Sequence, residues 1–200
     1  MNYLELSIGE LEKESKRLAK RINKDYKPDI IVFIAKGSYI IGKTLSDFFN
    51  VPLIEINAVR KGNKLKKILG PFLKLIPSNI KKYLRKKEIE SGIHTNTTHR
   101  NVFLAHGELQ LKAASNVLIV DDSIDTGYTA KQVMEYIKEN FKNERVKFAS
   151  LNYFEESQKV FKGDFNLYKN TIMIGPWSKD SKYNKEFVEF YNLYKQKEGI

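Results

Sequence analysis

The 200-residue chain has no cysteine, only five prolines and a single tryptophan. Without cysteine there can be no disulfide, no thiolate zinc site and no thiol nucleophile, and the usage fits a reducing compartment. No apolar run approaches the roughly 18 residues that a membrane-spanning helix needs. The opening stretch, MNYLELSIGELEKESKRLAKRI, is charged throughout, unlike a secretory leader. These absences predict a soluble, cytoplasmic protein. Phosphate loops of the G-x-G-x-x-G and G-x-x-x-x-G-K-[ST] kinds are missing as well, and there is no internal repeat.

Acidic residues are scarce in one place. Between Arg60 and Arg100 twelve Lys or Arg stand against Glu88 and Glu90, so this segment carries ten of the eleven net positive charges. Charge confined to one segment suggests an anionic partner for it, whereas an even spread would speak only to solubility. The same stretch interleaves Leu65, Ile68, Leu69, Phe72, Leu73, Leu75 and Ile76 with lysines. It can be read as a basic amphipathic element against a membrane or a lipid-linked acceptor, as a nucleic-acid surface, or as a lid whose lysine face is merely solvated.

Outside that segment the apolar pattern is regular. Ile8, Leu11, Leu18 and Ile22 recur at approximate helical spacing behind Ser7 and Glu10, which are placed as a capping box, and predict a helix over 7–23. The continuous apolar run Ile30–Ala35 suits a strand buried on both faces. A helix over 38–50, a strand over 51–56 and a strand over 116–122 follow, then a helix over 129–141, strands over 146–154 and 170–177, and a C-terminal helix with an aromatic face. Alternating strands and helices predict an α/β fold with a mainly parallel central sheet flanked by helices. Ligands of such sheets sit beyond the carboxyl ends of the strands. Both "AKGS" (35–38) and the acidic stretch after Val120 should therefore lie at the same edge.

That acidic stretch carries the chemistry. VLIVDDSIDTGYTA (117–130) ends a buried strand with Asp121 and Asp122, adds Asp125, and opens a helix through Thr126, Gly127, Tyr128 and Thr129. A tight turn into a helix presents several backbone N–H groups at the positive end of the helix dipole, which suits a phosphate. Carboxylates just before it can accept hydrogen bonds from sugar hydroxyls or hold magnesium through water. A phosphate beside a diol is a ribose 5-phosphate. Asp-Thr-Gly also occurs in aspartic proteases, but there it is needed twice, on all-β frameworks. Capping of a helix would explain one or two of the aspartates, not three together with "TGYT".

VLIVDDSIDTGYT resembles the thirteen-residue phosphoribosyl-pyrophosphate (PRPP) motif of type I phosphoribosyltransferases, with every defining position filled. The stretch from Tyr26 to Leu53 is similar to the segment that supplies the family's pyrophosphate loop, and "EINAVRKG" looks like the start of its flexible loop. The resemblance is nearest to the bacterial hypoxanthine and xanthine enzymes, whose Pro-Trp-acid ending is matched by GPWSKD (175–180). It implies a type I phosphoribosyltransferase fold over 1–200, with the basic insertion at 60–100 and hood strands plus the C-terminal helix within 152–200.

Carried over residue by residue, the resemblance implies that Asp121 and Asp122 hold the ribose hydroxyls and organise Mg2+. Asp125, Thr126, Gly127, Tyr128 and Thr129 would wrap the 5-phosphate, with Asp125 also facing the acceptor as a proton acceptor. Ala35, Lys36, Gly37 and Ser38, joined by Arg60, would bind pyrophosphate, with a non-proline cis peptide expected at Ala35-Lys36. The implied reaction moves 5-phosphoribose from PRPP to an acceptor, a nucleobase or another, within nucleotide metabolism and in a homo-oligomer. Purine members carry a lysine on the strand after the motif helix, where this chain offers Asn152, Tyr153 or Phe154; the base-stacking position falls at Ile172. The alternative is a PRPP-binding regulator of the same fold that binds nucleic acid through the insertion. His94, His99 and His106 lack the carboxylate pattern of a zinc site. Trp177 reads as core or site wall.

Overall fold

The computed structural model describes residues 2–60 and 100–200. The chain divides into two compact units, Met1–Ala58 with Val102–Ile200, and Val59–Asn101. The basic insertion from Lys61 to His99, with its amphipathic reading and with His94 and His99, lies outside the described residues.

In chain order the larger unit begins with β1 (Asn2–Glu5) and α1 (Ile8–Ile22), followed by β2 (Ile30–Ile34), α2 (Tyr39–Phe49) and β3 (Leu53–Arg60). After the insertion come β4 (Arg100–Leu104), α3 (Glu108–Ala113), β5 (Asn116–Ile124), α4 (Tyr128–Asn140) and β6 (Arg145–Tyr153). A 3-10 turn at Glu155–Lys159 precedes β7 (Phe165–Lys169), β8 (Thr171–Ile174) and α5 (Asn184–Glu198). Six strands form the central sheet in the order β4-β3-β2-β5-β6-β7. From β3 to β7 every neighbouring pair is parallel.

The apolar run of β2 follows from burial on both faces. Ile31 and Phe33 pack with α1, α2 and α5 through Leu11, Leu18, Ile41, Leu45, Phe187 and Tyr194. Ile30, Val32 and Ile34 face the opposite side, against α3 and α4, through Leu111, Val133 and Ile137. Successive residues of a strand alternate between faces, so a polar residue anywhere in this run would sit in one of the two cores. Each of these fully buried aliphatic side chains contributes about 1.5–3 kcal/mol. The capping box of α1 is formed: the Ser7 backbone N–H donates to Glu10 Oε2 at 2.8 Å, and the Glu10 N–H donates to Ser7 Oγ at 3.3 Å.

β1 and β8 make a separate parallel pair, Asn2 opposite Thr171 and Glu5 opposite Ile174. The region expected to supply hood strands, 152–200, contributes β8 to this two-stranded sheet, and residues 2–5 contribute its partner. The aromatic face of α5 is core, as its spacing indicated: Tyr194 packs 4.8 Å from Tyr39 and 5.6 Å from Phe33 between ring centroids. Burial pushes the Tyr39 phenol up to about 12. Tyr39 is the first residue of α2, so the C-terminal helix braces the start of the helix that follows "AKGS".

Candidate active site

β2 and β5 are parallel neighbours, with Phe33 opposite Val120. Their carboxyl ends therefore open side by side. At the end of β2 the chain turns through a cis Ala35-Lys36 peptide, the bond expected from the sequence. Lys36 is exposed. A Cβ placed on Gly37 would stand 3.2 Å from the Asp122 carboxyl carbon, so the loop main chain lies directly against that carboxylate. Ser38 is fully buried and its hydroxyl donates to the Ile34 carbonyl at 2.6 Å. What Ser38 can offer a ligand is its main chain. The Arg60 side chain lies outside the described residues.

β5 does not end before the acids. It runs to Ile124 and stays paired with β6, Asp121 opposite Ser150 and Ser123 opposite Asn152. Asp121 and Asp122 are thus presented from a hydrogen-bonded strand, a firmer mount than a loop. The Asp122 backbone N–H donates to Asp121 Oδ1 at 2.9 Å. Burial pushes both carboxyl groups up, Asp121 most strongly, and the negative charge of Asp122 adds to its rise. Two desolvated acids side by side resist joint ionisation unless a cation or a hydrogen-bond donor arrives.

This donor set fits magnesium. Mg2+ prefers hard oxygen ligands, keeps several waters, and is usually held by one or two carboxylates together with substrate oxygens. Among the described residues no group of three or more His, Asp or Glu is placed to cage a metal. An ion brought with the substrate would be held at Asp121 and Asp122. His106 has other partners: its Nε2 lies 2.7 Å from the Tyr194 hydroxyl and accepts from the Glu55 backbone N–H at 3.3 Å.

The second loop opens α4. Gly127 is the N-cap residue with φ 82°, and no side chain caps the helix. The first-turn N–H groups of any helix lack intrahelical partners, so here they face the loop as donors. A Cβ on Gly127 would meet the Ser157 carbonyl at 2.9 Å and the Phe161 amide at 3.1 Å. Residues 157–161 form the wall behind the loop, a role that no sequence motif announced. Asp125 is exposed at the rim, and its Oδ1 accepts from Ser123 Oγ at 2.8 Å. Of the residues compared with the family's base-reading and base-stacking positions, Asn152 is fully buried, while Tyr153 and Ile172 are half-buried. Trp177 is half-buried too, folded over Gly175 and packed on the α5 side of the core, in keeping with the first half of its reading as core or site wall.

The loop after β2, the paired acids and the loop that opens α4 thus lie at the carboxyl ends of neighbouring strands. A family model described as the phosphoribosyl transferase domain matches residues 6–171. The chain belongs to the phosphoribosyl transferase family. Among solved structures, this phosphoribosyltransferase is similar to a purine phosphoribosyltransferase from Pyrococcus horikoshii, with a TM-score of 0.61, 21% identity, and 90% of this chain covering 97% of that one. The xanthine-guanine-hypoxanthine phosphoribosyltransferase of Helicobacter pylori gives a TM-score of 0.63 at 16% identity, with 92% of this chain and 99% of that chain covered. A Neisseria gonorrhoeae protein solved with bound ppGpp gives 0.58 at 16% identity, with 96% and 97% covered. At such identities the likenesses speak to the fold. No curated protein matches the chain. Among the described residues no helix is long and apolar enough to cross a membrane.

Proposed function

We propose that this phosphoribosyltransferase moves 5-phosphoribose from PRPP to a nucleobase-like acceptor and releases pyrophosphate, with magnesium as its cofactor. The observation that supports the reading is the closeness of Gly37 to Asp122, whose carboxyl carbon a Cβ on Gly37 would meet at 3.2 Å, which sets the proposed pyrophosphate loop beside the proposed diol-binding acids. Asp121 and Asp122 accept the ribose hydroxyls. Asp125 and the main chain of Thr126, Gly127, Tyr128 and Thr129 surround the 5-phosphate. Lys36, with the main chain of Ala35, Gly37 and Ser38 and with Arg60, receives pyrophosphate.

In the reaction the C1–O bond to pyrophosphate breaks and a bond from C1 to the acceptor atom forms, with little covalent work left to the protein. Positive charge that develops on the sugar ring is stabilised by the carboxylates of Asp121 and Asp122. Bound magnesium would neutralise the departing pyrophosphate. The proton that the acceptor loses goes to the Asp125 carboxylate. An anionic partner for residues 60–100 and a homo-oligomer remain proposals that accompany this reading.

Calorimetry with PRPP and Mg2+ tests the donor half, and pyrophosphate release with adenine, guanine, hypoxanthine, xanthine and pyrimidine bases tests the acceptor half. Metal-dependent binding with turnover of at least one base is expected. Absence of heat and of any thermal shift at millimolar PRPP would overturn the reading.

A further inference from the structure

Asn152 is the one fully buried side-chain amide among the described residues, and it sits between the hood and the acidic motif. The Thr171 backbone N–H donates to Asn152 Oδ1 at 3.1 Å. The amide then donates from Nδ2 to Ser123 Oγ at 3.0 Å. Ser123 Oγ in turn donates to Asp125 Oδ1 at 2.8 Å. The direction of this chain is set at its hood end. A backbone N–H can only donate, so the atom facing Thr171 must be the amide oxygen, which aims Nδ2 at Ser123. A serine oxygen that accepts there has its own proton left for the carboxylate.

The strand pairing supports the same geometry. Ser123 and Asn152 are opposite each other on β5 and β6, and Thr171 opens β8. Asn152 is also gripped through its main chain, since its carbonyl accepts from Ser150 Oγ at 2.7 Å. The amide therefore cannot turn without breaking contacts on both sides.

We propose that Asn152 is a positioning residue that aims the Asp125 carboxylate through Ser123 and ties that aim to the placement of the hood, an inference that rests on the phosphoribosyl-transfer reading. Asn152→Asp isolates the relay. The new carboxylate still accepts from the Thr171 amide but also accepts from the Ser123 hydroxyl, which withdraws that proton from Asp125. Ser123→Ala removes the same link from the other side, and Ser123→Thr keeps it.

The test reads the Asp125 carboxyl-carbon NMR resonance, the calorimetric affinity for PRPP with Mg2+, and pyrophosphate release from PRPP with purine bases and with water alone. Asn152→Asp and Ser123→Ala should move the Asp125 resonance by similar amounts, and the double variant no further than either single. Ser123→Thr should restore it. Pyrophosphate release should fall about tenfold in both single variants and PRPP affinity by a smaller factor, about threefold, because the main chain of Thr126 to Thr129 still surrounds the 5-phosphate while the aim of the Asp125 carboxylate has changed. An unmoved Asp125 resonance, additive shifts in the double variant, or PRPP affinity falling in step with turnover would overturn the proposal. Failure of wild-type protein to bind PRPP would instead sink the transfer reading and leave the resonance arm to decide the relay.

Discussion

The two loops at the crevice have the same setting and different needs. Each follows a strand buried on both faces and precedes a helix without a side-chain cap hydrogen bond, on neighbouring parallel strands. The loop after β2 keeps Gly37 out of the left-handed region and needs only room beside the Asp122 carboxyl. The loop after β5 holds Gly127 at φ 82° with main-chain atoms of Ser157 and Phe161 pressed behind it. One glycine answers to a flexible acid, the other to backbone that cannot move aside. The loop before α4 is therefore fixed by the fold, whereas the loop after β2 has room to adjust.

Both loops presuppose the acids between them, so the sharpest break is there. Asp122→Asn or Asp121→Asn should lower kcat/KM by about 100-fold, roughly 2.7 kcal/mol, measured as pyrophosphate release. Unchanged kinetics in both variants would strip the acids of their role. Gly127→Ala comes next. The left-handed conformation alone costs a non-glycine residue about 1–2 kcal/mol, and the Ser157 carbonyl adds to that, so thermal unfolding should show a clear loss together with weakened PRPP binding.

A pH titration of stability separates the acids from the loops. Burial holds the Asp121 carboxyl well above its usual range. The folded chain therefore keeps this proton to higher pH than the unfolded chain, whose aspartate ionises near pH 4. Stability contributed by this group is lost as pH rises from about 4 through the raised value. Asp121→Asn should remove that slope and make the ligand-free protein more stable by about 1 kcal/mol at pH 7, even as activity falls. Chemical denaturation at pH 5 and pH 8 checks it, and a steeper slope in the variant contradicts it. The smallest effect is expected for Gly37→Ala, about 0.5 kcal/mol or less in stability with a change of about threefold in PRPP affinity, because a side-chain carboxyl can shift by a few tenths of an ångström. A loss equal to that of Gly127→Ala would erase the distinction between the loops.

Much of this was legible in the sequence, for identifiable reasons. Ile30 to Ile34 could only be a strand covered on both sides, and Ser7 with Glu10 marked where α1 starts. The spacing of Asp121, Asp122, Asp125 and "TGYT" led to the family, whose model matches residues 6–171. Other parts had no local signal. β5 was expected to stop near Asp122, since acids normally end a buried strand, yet pairing with β6 carries it to Ile124. β7 was missed because Phe165–Lys169 is only five residues long and sits at the sheet edge, and β1 because four residues hold no period. α3, only six residues long, left too little apolar spacing to detect. Ser157, Phe161 and Asn152 act through contacts distant in the chain, and no motif records such contacts. Arg60 and the insertion belong to the part where side chains are not described.

Carrying the acids on a strand that remains zipped to its neighbour has a design implication. On the proposed reading, the grip on the donor is carried by the sheet, while the β1–β8 pair would roof the acceptor. A lineage that altered this pair could change what is glycosylated while keeping the paired acids, provided the contact between Thr171 and Asn152 were preserved.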